Sequence, residues 1–321
     1  MEKLWQFARK INIDPARIRQ SEPMALHTSF KIGGAADYFL SPSSELELAG
    51  IVRALREAGE PSFFLGGGAN ILVGDQGIRG WVIDLTKLSG CRPGSPSQRG
   101  AEGSSGQSVS LYAQAGISID RLCEEALARG LEGIENFYGM PGSLGGAVYM
   151  NARCYEEDIS AILGTLRILS PEGEVKTLDV SALPWSYKRS AFQPGESLAG
   201  WIVTAAELRL GGGNAPSTAS VMRGRRLDRI SKGHYRYPSA GSMFKNNRSF
   251  GKPTGAILDS LGYKGRRKGD AAVSPWHANI FVNLGKASAK DMRSLIESAQ
   301  TAASEAYGFN LEPEVLFVGD F

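Results

Sequence analysis

Cysteine and histidine are scarce, with three of each in 321 residues. Cys91, Cys123 and Cys154 are odd in number, far apart and without a CxxC pair, which excludes a disulfide framework and a cysteine-rich zinc site. His27, His234 and His277 stand at no metal-ligand spacing to one another, so no metal is expected. Nowhere do about 18 apolar residues run together, so no membrane-spanning helix is expected. The opening MEKLWQFARK lacks the long apolar core of a signal peptide, which makes a reducing cytoplasm the expected compartment. Excess charge is missing too. Lys+Arg number 36 and Asp+Glu 33, a net charge of +3 that calls for no nucleic acid. The basic runs RGRRLDR (residues 223–229) and KGRRKGD (residues 264–270) read as solvated faces. Hydrophobic residues at 42% and charged residues at 21% are an ordinary globular balance, enough for sizeable cores in two or three domains.

Glycine is what the chain has in excess: 40 residues, against an average of about 7%. The glycines cluster. In FFLGGGANILVG (residues 63–74) three interrupt two apolar runs, and in GMPGSLGGAVYMNA (residues 139–152) four surround Pro141. A strand that ends in Gly-Gly-Gly can turn with positive φ and bare its backbone N–H groups to an anion. Taken alone, such a turn reads equally well as a plain hairpin. It is no Walker loop, since no Gly-Lys-Ser/Thr follows, and no GxGxxG fingerprint, since no helix opens after it. Two such surfaces in one domain suit an extended ligand, such as a dinucleotide, lying across both.

Residues 2–11 and 44–59 have helical spacing, and SIDRLCEEALARG is a helix with Ser118 as N-cap and Gly130 as stop. PSFFL, NILV, GWVIDL, SVSLYAQAG and GWIVTAAELRL read as strands, and so does AVYM in the second glycine cluster. LGTLRILSPEGEVKTLDV is a hairpin that turns at residues 171–173. Residues 91–107 form a loop or hairpin tip. Past Gly212 the composition shifts to a helix, a long polar segment, a second helix, the strand HANIFVNLG, a long helix and a closing LEPEVLFVGDF. A domain boundary is expected near Gly212.

Motifs in this order resemble the UDP-N-acetylenolpyruvoylglucosamine reductase family. They are HTSFKIGGAADYF (27–39), LGGGANILVGDQGIRGWVI (65–83), GIENFYGMPGSLGGAVYMNA (133–152), WSYKRSAF (185–192), SAGSMFKN (239–246), AAVSPWHANIFVN (271–283) and LEPEVLFVG (311–319). The resemblance runs from about His27 to the C-terminus. It implies an α+β fold: an FAD-binding domain of the vanillyl-alcohol-oxidase (PCMH) type over 1–212, in two subdomains of about 1–86 and 87–212. A C-terminal α+β substrate-binding domain over 213–310 and a strand at 311–321 carrying the catalytic glutamate complete it. FAD is bound non-covalently, with Ile32 and Gly33 near its adenine half and Gly66, Gly67, Gly68, Ala69 and Asn70 around its pyrophosphate. Pro141, Gly142, Ser143, Gly145, Gly146, Asn151 and Ala152 line the flavin. On this basis Gly67→Val is expected to cost FAD binding far more than folding.

The activity implied is NADPH-dependent reduction of UDP-N-acetylglucosamine enolpyruvate to UDP-N-acetylmuramate, a step of peptidoglycan precursor synthesis. Flavin N5 gives a hydride to substrate C3, and negative charge develops at C2 and on the carboxylate. That chemistry asks for a cation, an acid near the carboxylate and a proton donor. By resemblance Ser242 is the proton donor, and Glu314, rather than its neighbour Glu312, is the carboxylate, which must be protonated for the task. Where the family commonly has Tyr-Arg-x-Ser, this chain has Tyr187-Lys188-Arg189-Ser190. Lys188 takes the matching position and Arg189 is the alternative, although lysine offers no bidentate fork. NARCYEE (151–157) also departs from the family, which has glycines after Asn-Ala and after the tyrosine. The short interval from Ser190 to Ser242 resembles the shorter family type, without the inserted tyrosine loop. Tyr187, Lys245, Asn246, His277 and Asn279 are the substrate-binding candidates, with a cap or turn role open for Asn246 and Asn279. A monomer is expected. The rival readings are another FAD oxidoreductase of the same fold and a non-catalytic nucleotide-binding protein.

Overall fold

The computed structural model describes residues 2–94 and 109–321. Two compact units interleave along the chain. The first holds Met1–Arg19, Phe39–Gly67 and Trp81–Arg226, and the second Gln20–Tyr38, Gly68–Gly80 and Leu227–Phe321. The expected boundary near Gly212 is a single cut in sequence order. The compact units change over several times, and one changeover falls inside the glycine run, between Gly67 and Gly68.

In the first unit the helix Glu45–Glu57 buries Leu48, Ile51, Val52 and Leu55, one face at 3.6-residue spacing. Ser44 caps it by accepting from Glu47 N–H at 3.1 Å. The strand Ser62–Leu65 follows and pairs in parallel with residues 81–84 of the strand Ile78–Asp84. The larger sheet runs Val175–Asp179, Leu163–Leu169, Ile202–Gly212, Val109–Gln114, Cys91–Pro93, with Leu131–Glu132 also on Ile202–Gly212. The hairpin Leu163–Leu169/Val175–Asp179 closes with Leu169 opposite Val175 and Gly173 at φ +78°. The loop or hairpin tip expected over residues 91–107 begins instead as a strand, Cys91–Pro93, antiparallel to Val109–Gln114, and the expected loop from residue 95 on lies outside the described residues. The helix Ile119–Ala128 opens at Ser118 as expected and packs Ile119 and Leu122 into a core with Phe137, Leu144, Val148 and Leu208.

AVYM is not a strand. Residues Leu144–Tyr149 form a helix that buries Leu144, Ala147 and Val148, the i, i+3, i+4 positions of one face. Gly145 is a poor helix former, but a Cβ there would meet Ala115 Cβ at 2.9 Å. Close packing overrides propensity at this point.

In the second unit Ser239–Ser242, Ile280–Asn283, Ala271–Val273 and Arg267–Lys268 form an antiparallel sheet in that order. The helix Ala289–Tyr307 lays Met292, Leu295, Ile296 and Ala299 onto it, in a core with Phe244, Leu258, Val273 and Phe281. The C-terminal segment also departs from expectation. Only Leu316–Val318 is a strand, parallel to Ile71–Val73, and Glu312 and Glu314 lie before it. Pro313 makes a single antiparallel bridge to Phe244, formed by the flanking bonds Glu314 N–H to Met243 O and Lys245 N–H to Glu312 O.

Candidate active site

In the first unit the two glycine clusters touch. A Cβ on Gly66 would overlap Ser143 Oγ, and one on Gly67 would lie 2.7 Å from Gly142 Cα and 2.8 Å from its carbonyl carbon. Gly67 N–H donates to Ser143 Oγ at 3.2 Å. In the second unit Gly68, at φ +61°, has the His27 carbonyl oxygen where a Cβ would be. Gly67 and Gly68 are therefore demanded by backbone approaches of the chain itself, whatever ligand lies beyond, while at Gly66 the clash is with a serine hydroxyl that can turn away.

The same approaches leave donors over. In the second unit Ser29 N–H donates to Gly68 O at 3.0 Å, Ser29 Oγ to Ala69 O at 3.4 Å and Leu316 N–H to Asn70 O at 3.0 Å. The carbonyls of Gly68 and Asn70 are thus occupied, and Ala69 O has only the long contact to a hydroxyl that also reaches Ser239 O at 2.6 Å, while the N–H groups of all three donate to no acceptor among the described residues. In the first unit Gly142 O accepts from Ile119 N–H at 3.2 Å and Ser143 O from Ala147 N–H at 2.9 Å, and the N–H groups of Gly142 and Ser143 are likewise left. Runs of unpaired N–H groups without side chains in front of them suit anionic oxygens, so the donor chemistry fits a pyrophosphate. Other expected contacts point inward. Ile32 is 2% exposed in the core, and a Cβ on Gly33 would press on Val73. Asn151, at φ +40°, donates to Ser186 O at 2.8 Å, and Ala152 is buried. The backbones of Ile32, Asn151 and Ala152 are engaged as well: Ala152 N–H donates to Ala147 O and its carbonyl accepts from Ile159 N–H, Asn151 N–H donates to Val148 O, and Ile32 O accepts from Thr28 Oγ. Pro141 and Gly146 are exposed.

The 186–190 turn is tied to the end of the helix Leu144–Tyr149. Ser190 Oγ donates to Tyr149 O at 2.6 Å, and Gln193 Nε2 donates to both Tyr149 O and Lys188 O. Lys188 is half-buried at φ +57°, a left-handed conformation that a non-glycine residue rarely adopts. Arg189 is exposed and ion-paired to Glu196, and Tyr187 is exposed. NARCYEE folds as a tight hairpin in which Arg153–Cys154 pairs with Glu157–Asp158. Tyr155 at φ +47° and Glu156 at φ +72° form its corner, a type I′ arrangement that glycine would occupy without strain. Tyr155 is held by Arg225, whose guanidinium lies 4.0 Å over the ring. Cys154 is buried, with its Sγ 3.4 Å from Met140 Sδ.

In the second unit Ser242 and Glu314 lie on adjacent segments. Glu314 N–H donates to Met243 O at 2.8 Å, and Lys245 N–H donates to Glu312 O at 2.9 Å. Ser242 is half-buried, and its hydroxyl has no hydrogen bond among the described residues. Glu314 is half-buried, and its carbonyl accepts from Asn70 Nδ2 at 3.0 Å, which links it to the glycine run. Glu312 is 70% exposed in its side chain and paired with Lys245 at 2.6 Å. Asn246 is exposed and caps Thr254 N–H at 2.9 Å. His277 Nδ1 accepts from Asn279 N–H at 3.2 Å. Burial first, then Lys232 and Lys264, holds the His277 pKa below the usual histidine range.

Two family models cover most of these features. The model described as an FAD binding domain matches residues 36–179, and that for the C-terminal domain of UDP-N-acetylenolpyruvoylglucosamine reductase matches residues 233–318. The reductase of Treponema denticola is 39% identical over 94% of this chain and 93% of its own. That of Borreliella burgdorferi is 35% identical over 99% of each. The chain belongs to the UDP-N-acetylenolpyruvoylglucosamine reductase family. The solved reductase of Thermus caldophilus superposes with a TM-score of 0.74 at 29% identity, covering 94% of this chain and 99% of that one. A berberine bridge enzyme variant, at TM-score 0.50 and 14% identity, shares the fold alone. The α+β fold and the FAD-binding domain of the reductase family are therefore those of this chain.

Some site-building residues of this family member carry no sequence signal. Ser29 donates to Ser239 O at 2.6 Å as well as to the glycine run, and Glu22 pairs with His27 at 2.7 Å behind Gly68. Glu22 lies on the short strand Arg19–Pro23 and Ser29 in the turn formed by the HTSF motif itself, and neither hydropathy period nor spacing marks the contacts they make.

Proposed function

We propose that the protein reduces UDP-N-acetylglucosamine enolpyruvate to UDP-N-acetylmuramate with NADPH and FAD, as a cytoplasmic monomer in peptidoglycan precursor synthesis. What carries the reading is family membership across both the FAD-binding and the reductase-specific parts of the chain. No helix of the described residues is long and apolar enough to cross a membrane.

The N–H groups of Gly68, Ala69 and Asn70 would hold the FAD pyrophosphate, and those of Gly142 and Ser143 would serve the flavin half. Once reduced by NADPH, bound FAD supplies the hydride that substrate C3 receives. Lys188 balances the charge that develops on the substrate carboxylate. Its half-buried position favours it over the exposed Arg189. Glu314 donates a hydrogen bond to that carboxylate from its protonated form. Ser242 Oγ delivers the proton to C2, and its unengaged hydroxyl beside the Glu314 segment supports the role. Tyr187, Lys245, Asn246 and His277 are read as contacts to the sugar nucleotide.

The test is Ser242→Ala in single-turnover kinetics. Flavin reduction by NADPH should stay near the wild-type rate. Reoxidation by the enolpyruvyl sugar nucleotide should slow by about 10²–10⁴-fold, the usual worth of general acid catalysis. Equal slowing of both half-reactions would remove Ser242 from the proton-donor role.

A further inference from the structure

We propose that Asn279 is a positioning residue that fixes the Ser242 segment against the Glu314 segment, rather than a contact to the sugar nucleotide. The proposal rests on the reading of Ser242 as proton donor. The strand Ser239–Ser242 is poorly equipped to hold itself. Its sequence is Ser-Ala-Gly-Ser, Gly241 is at φ +74°, and its pairing to Ile280–Asn283 is irregular between Ser239 and Ser242. Small side chains give such a strand little packing. Directly after it, Met243 and Phe244 are fully buried.

Asn279 is 2% exposed, and its backbone and side chain both serve this segment. Its carbonyl accepts from Met243 N–H at 2.8 Å. Its Oδ1 accepts from Phe244 N–H at 3.0 Å, and its Nδ2 donates to Phe244 O at 2.8 Å. The carboxamide thus does for Phe244 what a neighbouring strand would do, satisfying one donor and one acceptor at once. The residues on either side of Phe244 bind the other segment: Met243 O takes the Glu314 N–H, and Lys245 N–H goes to Glu312 O. Phe244 is therefore the splint between Ser242 and Glu314, and Asn279 holds the splint. A buried amide engaged at both ends has no reach to a ligand. It acts through Ser242, by setting where the hydroxyl stands.

The experiment is anaerobic stopped-flow on the FAD-loaded protein, following flavin reduction by NADPH and reoxidation by UDP-N-acetylglucosamine enolpyruvate. The variants are Asn279→Ala, Asn279→Asp, Ser242→Ala and the Ser242→Ala/Asn279→Ala double. Asn279→Ala should reduce flavin within about twofold of wild type and reoxidise about 10–100-fold more slowly. A displacement of about 1 Å at a reacting group costs that much. Substrate concentration dependence should shift by less than about threefold, as expected of a residue that makes no substrate contact. Asn279→Asp keeps the acceptor for Phe244 N–H and should lose less. The double variant should reoxidise within about threefold of Ser242→Ala, since the two residues act as one unit. Wild-type reoxidation in Asn279→Ala, full additivity in the double variant or a dominant loss of substrate affinity would overturn the proposal. So would loss of fold in both Asn279 variants. Wild-type reoxidation in Ser242→Ala would instead overturn the proton-donor reading, and this proposal with it.

Discussion

Replacing Gly67 by alanine tests whether the glycine run serves the chain or only its ligand. The new methyl would lie 2.7 Å from Gly142 Cα, 2.8 Å from its carbonyl carbon and 3.0 Å from Ser143 N. Ordinary carbon contacts are about 3.5–4.0 Å, so the two glycine clusters must part by about 1 Å. All the neighbours are backbone, and Gly142, at φ +121°, already has a conformation reserved for glycine. Overpacking of this kind costs about 1–3 kcal/mol, and loss of the Gly67 N–H to Ser143 Oγ bond adds about 1 kcal/mol. At roughly 2 °C per kcal/mol for a chain of this size, the FAD-free protein should melt about 4–8 °C lower. Loss of even one charge-assisted hydrogen bond, worth about 1.5–3 kcal/mol, should weaken FAD binding about tenfold or more. Two measurements read this out: the melting temperature of FAD-free protein, and FAD titration by quenching of flavin fluorescence. An unchanged melting temperature together with lost FAD binding would refute the reasoning, because it would mean the Cβ points at ligand space. The sequence suggests that Gly67→Val costs FAD binding far more than folding; the contact with Gly142 predicts that folding is weakened as well.

Lys188→Ala should slow flavin reoxidation by about 10²–10³-fold, the typical worth of one charge-stabilising group, while Arg189→Ala changes it by less than about threefold; stopped-flow separates the two, and the reverse ranking would transfer the role to Arg189. Glu156→Gly should stabilise the FAD-free protein by up to about 1 kcal/mol, read from urea unfolding, because it removes a left-handed non-glycine residue from the NARCYEE corner. Burial first, then Arg229, His277 and Lys232, pushes His234 from 6.5 to about 4. The unfolded chain therefore binds a proton there that the folded protein refuses. Stability is whole above about pH 6.5 and falls as pH drops toward 4, and the loss between pH 7 and 5 is about 1–2 kcal/mol after allowing for solvent screening. His234→Asn should flatten that part of the urea-midpoint profile, and an unchanged profile would count against the burial argument.

Much of the fold was legible because helices with capped ends and strong periodicity announce themselves. Ser44 and Ser118 begin their helices where the pattern places them. The hairpin at Gly173 is equally plain. What was not legible depends on contacts far apart in sequence. AVYM has the residues of a strand, and only its burial against Ala115 and the rest of the core makes it a helix. Ser239–Ser242 has no β-forming side chain, and its partners Ile280–Asn283 make it a strand. The site divides along the same line. Glycine runs are visible because only glycine permits close backbone approach, so Gly66, Gly67 and Gly68 stand out in any reading. Asn279 reads in sequence as either a ligand contact or a cap or turn residue, and its hydrogen bonds to both backbone groups of Phe244 emerge only in three dimensions. Between Lys188 and Arg189 the sequence offers two neighbouring cations, and the fold leaves Lys188 half-buried and Arg189 exposed, a difference of burial that neighbouring positions in a sequence do not reveal.

The most direct test of the proposed activity is a cycle of colour in one anaerobic cuvette. The purified protein should be yellow with a flavin spectrum, bleach with one equivalent of NADPH, and recover its colour when UDP-N-acetylglucosamine enolpyruvate is added, with UDP-N-acetylmuramate formed in equal amount. A colourless protein that takes up no FAD, or a bleached one that the enolpyruvyl sugar nucleotide leaves bleached, would contradict it.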